Sequence, residues 1–374
     1  MRRRVVLVPV VAVAASAGLL AGCTGEDQAP MNTTTATTTT AAAPTTTPPP
    51  APVVAPAAAS GPLVDGIYTA DPSGHVWDGT LYVYPSHDVP TDVPADDDGS
   101  QYAMTDYHVL SVATPGAKAV DHGVALAVGD VPWASKQLWA PDATRHGGTY
   151  LLYFPARDKA GVFRIGVATS SSPTGPFTAD PEPIPGSYSI DPAVFADDDG
   201  ATYLYFGGLI GGELQRYRDD RPLGHDDFPA GGQPALGARV VRLSDDLHRF
   251  AEATREVVIL DEEGKPLEAG DARAFFEGAW MSKRAGTYYF MYSTGPSHHL
   301  AYATGSSPYG PFTYRGIVLN PVKGWTTHGS MVELDGQWYL LYHSAELSGQ
   351  DNLRNVRMTP LHFEADGSIQ TIEP

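Results

Sequence analysis

One outline recurs five times along this chain: a polar residue, an apolar strand-like run, a turn built on Gly or Asp-Gly, then a second run rich in aromatics. The copies read DPSGHVWDGTLYVYPS from Asp71, WAPDATRHGGTYLLYFP from Trp139, DPAVFADDDGATYLYFG from Asp191, FFEGAWMSKRAGTYYFMY around Glu277, and HGSMVELDGQWYLLYH from His328. Asp-Gly and other Gly-containing connections between alternating apolar runs are strong signals for a β-hairpin. A hairpin repeated at intervals across one chain points to a repeat architecture.

Four of the copies are followed by a matching second pair of strands. The segments RIGVATSSSPTGPFTADPEPI from 164 and LAYATGSSPYGPFTYRGIVL from 300 are nearly the same, while the fifth copy ends instead in NVRMTPLHFEADGSIQTI. Four strands per unit and five units predict an all-β chain folded as a five-bladed β-propeller. In that geometry the first strand of each blade lines the central axis. Asp71, Asp191, Glu277 and His328, far apart in sequence, are then expected at one mouth of the channel.

The chain divides into three parts. Residues 1–22 carry three arginines, a short apolar run and the small-residue ending LAG before Cys23, the pattern of a secretory signal rather than a spanning helix. LAGC also has the form of a bacterial lipobox, so Cys23, the only cysteine of the chain, is expected to carry lipid. That places the mature protein outside the cell, anchored to its membrane. Residues 23–60 are rich in Thr, Pro and Ala and lack the apolar mass to build a core, so they read as an extended tether. Residues 61–374 are expected to form the propeller, with 208–239 reading as an insertion in the third blade.

Acidic residues outnumber basic ones, 43 to 24, and the formal charge is −19. This argues against nucleic acid and for a neutral or cationic ligand. The acidic runs Asp96–Asp98 and Asp197–Asp199 read as hairpin turns. The sequence has no Gly-Xaa-Ser-Xaa-Gly elbow, no cysteine placed as a nucleophile, and no HExxH or CxxC pair for zinc. Three carboxylates do share the axial place in the repeat: Asp71, Asp191 and Glu277. Two carboxyl groups across a bond, one protonated and one ionised, are what glycoside hydrolysis requires. His87 and Asp88, at the end of LYVYPSHD, are expected near the same mouth, with His87 a candidate to touch a sugar.

The motifs ADPSGHVWDGTLYVYPSHD, LWAPD, SIDPAVFADDDGATYLYFGG, FFEGAWMSKRAGTYYFMYS and HGSMVELDGQWYLLYH, in this order, resemble glycoside hydrolase family 43 from 65 to 374. The resemblance implies a five-bladed propeller and an inverting enzyme acting on xylose- or arabinose-containing glycans, releasing β-D-xylosyl or α-L-arabinofuranosyl units from chain ends. By that resemblance Asp71 is the general base, Glu277 the general acid, and Asp191 the residue that raises the pKa of the acid and orients the sugar. Trp139 matches an aromatic wall of the innermost sugar site, though it also suits packing between blades. Arg354 matches an arginine that hydrogen-bonds that sugar, with Arg357 the other candidate. His328 matches an axial histidine near a calcium ion, usually reached through water, and is otherwise a core histidine. No organic cofactor is implied.

Inversion needs room for a water, so the carboxyl groups of Asp71 and Glu277 are expected about 6.5 to 9.5 Å apart. An endo-acting arabinanase of the same architecture and a carbohydrate-binding propeller without catalysis are the rival readings. Sugar, linkage and oligomeric state are not legible at this level.

Overall fold

The structure is a computed structural model and describes residues 61–374. The expectations for the signal, the tether and Cys23 lie outside the described residues.

Five mainly antiparallel sheets follow one another along the described residues, with a separate two-stranded ribbon, Tyr217–Arg218 with Arg221–Pro222, inserted within the third. The first pairs Tyr68–Trp77, Thr80–Asp88, Asp106–Val112 and Val120–Ala127 in sequence order. The second pairs Asp142–His146, Thr149–Asp158, Phe163–Ser170 and Thr178–Ala179, with Ala134–Lys136 added beside its second strand. The third consists of Ala193–Ala196, Thr202–Phe206, Arg239–Arg242 and Arg255–Glu256. The fourth consists of Phe275–Arg284, Thr287–Thr294, Leu300–Gly305 and Phe312–Leu319, with Ile259–Leu260 running parallel to its last strand. The fifth pairs Gly329–Leu334, Gln337–Ser344 and Asn355–Pro360. This is the five-bladed propeller that the repeats predict, and its last blade is one strand short.

The start of the propeller fills that gap. The N–H of Leu63 donates to the carbonyl of Val356 at 2.7 Å, and Thr69 N–H donates to Arg354 carbonyl at 2.8 Å. Residues that open the domain therefore run beside the third strand of its last blade and close the ring. Leu63 and Val64 are buried there with Leu81, Val83, Leu341 and Val356.

The two strands at the middle of a blade are buried on both faces, because each blade packs against two neighbours. In Thr287–Thr294 every residue after the first is buried. The outermost strand of the first blade, Val120–Ala127, alternates exposed and half-buried instead over its first half, the pattern of a strand with one face in water. The sandwiched aromatics Tyr205, Phe206, Phe290 and Tyr292 form one large core with Leu204 and Leu340. Each such side chain contributes about 1.5–3 kcal/mol on burial. Tyrosine hydroxyls in this interior are spent on backbone carbonyls: Tyr153 donates to Leu247 and Tyr107 to Trp139. The two near-identical GPF turns end in the same way, with Phe177 and Phe312 buried after them.

Candidate active site

Each acid reaches the axis from an irregular spot in an otherwise regular strand. Asp71 has φ +47° and lies where the pairing of Tyr68–Trp77 with Thr80–Asp88 shifts register between Ala70 and Ser73. Asp191 has φ +56° just ahead of its strand. Glu277 sits between two register shifts in Phe275–Arg284, followed by Gly278 at φ +66°. A bulge turns a side chain out of the alternating pattern, which is how strand residues come to point along the axis. Non-glycine residues at positive φ are costly and gather at functional positions.

These residues open into one cavity of about 560 Å³, lined by Asp71, Asp191, Glu277, His328, Arg354 and Trp139 together with residues of the surrounding loops. Asp71 is anchored from several sides. Its Oδ1 accepts from Arg354 Nη1 at 2.9 Å and its Oδ2 from Ser86 Oγ at 2.7 Å. Its own N–H donates to His343 Nδ1 at 3.0 Å, which leaves the ring proton on Nε2, 3.0 Å from the carbonyl of Thr326. Arg354 is held in turn by Asp88, donating from Nε at 2.9 Å and from Nη2 at 2.8 Å. Burial alone would raise the pKa of Asp71; the Arg354 guanidinium is the main charge that outweighs it and holds the carboxyl well below the usual range.

Glu277 is the opposite case. No described residue hydrogen-bonds its carboxyl, which meets water only through the cavity. Burial, reinforced by the charge on Asp71 and opposed by Arg354, pushes it up to about 8. Asp191 is also raised, to about 7, by burial; His328 opposes this, and Glu277 and Asp71 add to it. Asp191 and Glu277 repel each other, a mutual effect that disfavours ionising both, and the charge on Asp71 adds to it at each of them. Asp191 also acts on the acid through the backbone, its Oδ2 accepting from the N–H of Gly278 at 2.9 Å and so fixing the bulge that aims Glu277.

The other expected residues separate. Trp139 does wall the cavity, and it is packed as well: its indole N–H donates to the Tyr102 carbonyl at 2.8 Å and its ring lies 4.6 Å from that of Phe163. Arg354 lines the cavity, but every hydrogen bond of its guanidinium goes to Asp71, Asp88 or Thr326, so its first task is to clamp the base. Arg357 pairs with the exposed Glu346 elsewhere. His87 is not at the cavity. Side chains alternate along a strand, so Ser86 and Asp88 face the axis while His87 points away and meets Asp106 at 2.6 Å. Asp142, buried, ties blades together by accepting from Val194 N–H at 2.6 Å and contacting His75 Nε2.

Residues 209–212, from the stretch read as an insertion, line the cavity. Asp96 and Asp97 form a turn as expected, and this turn is part of the rim. Asp197 stays structural, bound to Lys283 and Tyr288. Trp325, exposed at the rim with its ring tilted against that of His298 at 4.5 Å between centroids, gave no signal in the sequence because its stretch lies between repeat copies.

Calcium takes six to eight oxygen ligands at about 2.3–2.6 Å. On the axis His328 offers one nitrogen, 3.8 Å from Asp71 Oδ1 and 3.9 Å from Asp191 Oδ2. Those carboxylate oxygens are already engaged by Arg354 and Gly278. The donors here therefore do not form a protein cage for calcium.

The family description "Glycosyl hydrolases family 43" matches residues 121–369. Xylosidase/arabinosidase 43A of Humicola insolens is 57% identical over 324 residues, covering 84% of this chain and 99% of that protein. A xylosidase/arabinosidase of Bacteroides ovatus is 52% identical, covering 83% and 97%. A solved β-xylosidase/α-arabinofuranosidase from a compost microbial metagenome, in complex with xylotriose and in calcium-free form, is 54% identical with a TM-score of 0.83, over 85% of this chain and 98% of that one. With its acids gathered on one floor and similarity running through nearly all of the described residues, the chain belongs to glycosyl hydrolase family 43 and is a glycosidase.

Proposed function

We propose that this enzyme releases β-D-xylosyl or α-L-arabinofuranosyl residues from the ends of hemicellulose or pectin oligosaccharides, with inversion at the anomeric carbon. One observation carries the reading: a single cavity holds a carboxyl kept ionised, Asp71, and a carboxyl kept protonated to about pH 8, Glu277. Asp71 takes a proton from a water as that water attacks the anomeric carbon. Glu277 gives its proton to the leaving oxygen. Asp191 positions Glu277 through Gly278, and Trp139 supplies an apolar wall for the sugar ring. The loops at 209–212 and around Asp96 and Asp97 wall the cavity, which favours a pocket for a chain end over an open groove for mid-chain attack. The xylosidase and arabinosidase activities in the relatives' names agree with a pentose.

Glu277→Gln tests the assignment. Turnover of xylo- or arabino-oligosaccharides should fall by about 10² to 10⁴, while an aryl glycoside whose leaving group needs no proton is cleaved at close to the original rate. Equal losses on both substrates would reassign the acid. We further propose that the enzyme works outside the cell, tethered through lipid on Cys23. Expressed in a lipoprotein-processing bacterium, the wild type should partition with membranes and Cys23→Ala should not; wild type found wholly in the soluble fraction would refute the anchor.

A further inference from the structure

A second cluster of chemistry-bearing side chains lies on the first blade, away from the cavity. His87, Asp106 and His108 each offer one ligand atom, and these atoms lie within 4.8 Å of one another. His87 comes from Thr80–Asp88, and Asp106 and His108 from the neighbouring strand Asp106–Val112. Adjacent strands whose side chains fall on one face bring them together, Ser86 pairing with Tyr107 in the register. His87 Nδ1 is 2.6 Å from Asp106 Oδ1, and His108 Nε2 is 3.8 Å from the same oxygen. The two imidazole rings have centroids 4.5 Å apart.

A third strand orients this set. Asp121, from Val120–Ala127, receives the Nδ1 proton of His108 at 2.8 Å, and its Oδ1 also accepts from Gly123 N–H at 2.8 Å. With Nδ1 committed to Asp121, the lone pair of His108 lies on Nε2, the nitrogen facing Asp106. A carboxylate behind a histidine, fixing tautomer and ring orientation, is the usual support of a metal-ligating imidazole. Hydrogen bonding between His87 and Asp106 would by itself account for that pair. It does not account for two imidazoles and a carboxylate converging with the second imidazole aligned from behind.

We propose that His87, Asp106 and His108 bind a divalent transition-metal ion such as zinc, nickel or cobalt, with Asp121 as the positioning residue behind His108. Two nitrogens and one carboxylate oxygen suit these metals rather than calcium or magnesium, which favour all-oxygen shells. The ligands of one tetrahedral ion lie roughly 3.3 Å apart, so small rotations of these partly exposed side chains would bring the set to that spacing. The fourth position opens to solvent, as side-chain exposures of 18% for His87, 21% for Asp106 and 11% for His108 allow. None of the three lines the catalytic cavity. The ion would pin the second and third strands of the blade beside Asp88, which clamps Arg354.

The untagged protein, freed of metal by chelator and dialysis, would be titrated with cobalt(II) and followed by its visible absorption. One saturable equivalent is expected, persisting in excess calcium and in His328→Gln, which leaves this cluster intact. His87→Gln and His108→Gln should each weaken binding at least tenfold, and Asp121→Asn about 10- to 100-fold. Zinc at a hundredfold excess over its dissociation constant should raise the Tm of the wild type by about 4 °C or more and leave that of His108→Gln unmoved. Absence of saturable cobalt binding, or binding that survives His87→Gln and His108→Gln, would overturn the site.

Discussion

Asp71 keeps its charge in a place that would neutralise most carboxyls because Arg354 and Ser86 both donate to it. Arg354 can do this only because Asp88 holds the other edge of its guanidinium in a two-point bond. A lysine has one compact charge and cannot span both acids. Arg354→Lys should therefore let the pKa of Asp71 rise. Because Arg354 also restrains that of Glu277, both limbs of the kcat/KM profile should move to higher pH. The wild-type profile should fall off as pH rises through about 8, where Glu277 loses its proton. An unshifted acidic limb in the variant would show that Arg354 does not control the base. The change should also cost about 1–3 kcal/mol in stability, for hydrogen bonds left unmade on a buried carboxylate. Much of this was legible in sequence: the three acids announce themselves by their equivalent place in the repeat. His87 was misplaced for a reason the sequence does contain, since strand parity puts Ser86 and Asp88 on the face that His87 leaves. His343 was hidden because a histidine at the far end of a hairpin carries no sign of which blade it will meet.

At the scale of the element, the inner strands are shaped as much by what they exclude as by what they present. Gly329, directly after His328, has room for no side chain: a Cβ there would stand 2.4 Å from the carbonyl oxygen of Leu341 and 3.1 Å from Leu300. The nearest atom is backbone of the paired strand, so relief requires the strands to move apart. Gly329→Ala should cost about 1–3 kcal/mol and lower kcat more than it raises KM, because the shift carries His328 and the axial floor with it. Thermal unfolding and steady-state kinetics measure both; unchanged values would mean the blade yields freely. Turn chemistry made the hairpins readable from sequence. The bulges at Asp71 and Glu277 were not, because a bulge depends on how two strands register and Asp-Pro alone also fits a simple turn.

Across the whole molecule, a pseudo-fivefold ring brings residues from 71 to 354 to one floor. The ring is closed by residues 63–69 beside the last blade. Repeats made the ring predictable, and they made the floor predictable with it. What the repeats could not supply was the wall, formed by loops at 91–104, 209–212, 325–326 and 351–352. Loops answer to no period, so their place over the axis emerges only once the blades are assembled. On that floor Asp71 delivers a water across the ring of the sugar from Glu277, in a single displacement. Proton NMR of the first turnovers on a β-xyloside reads this directly: the account predicts that α-xylose appears first and then mutarotates, whereas β-xylose as the first product would contradict it.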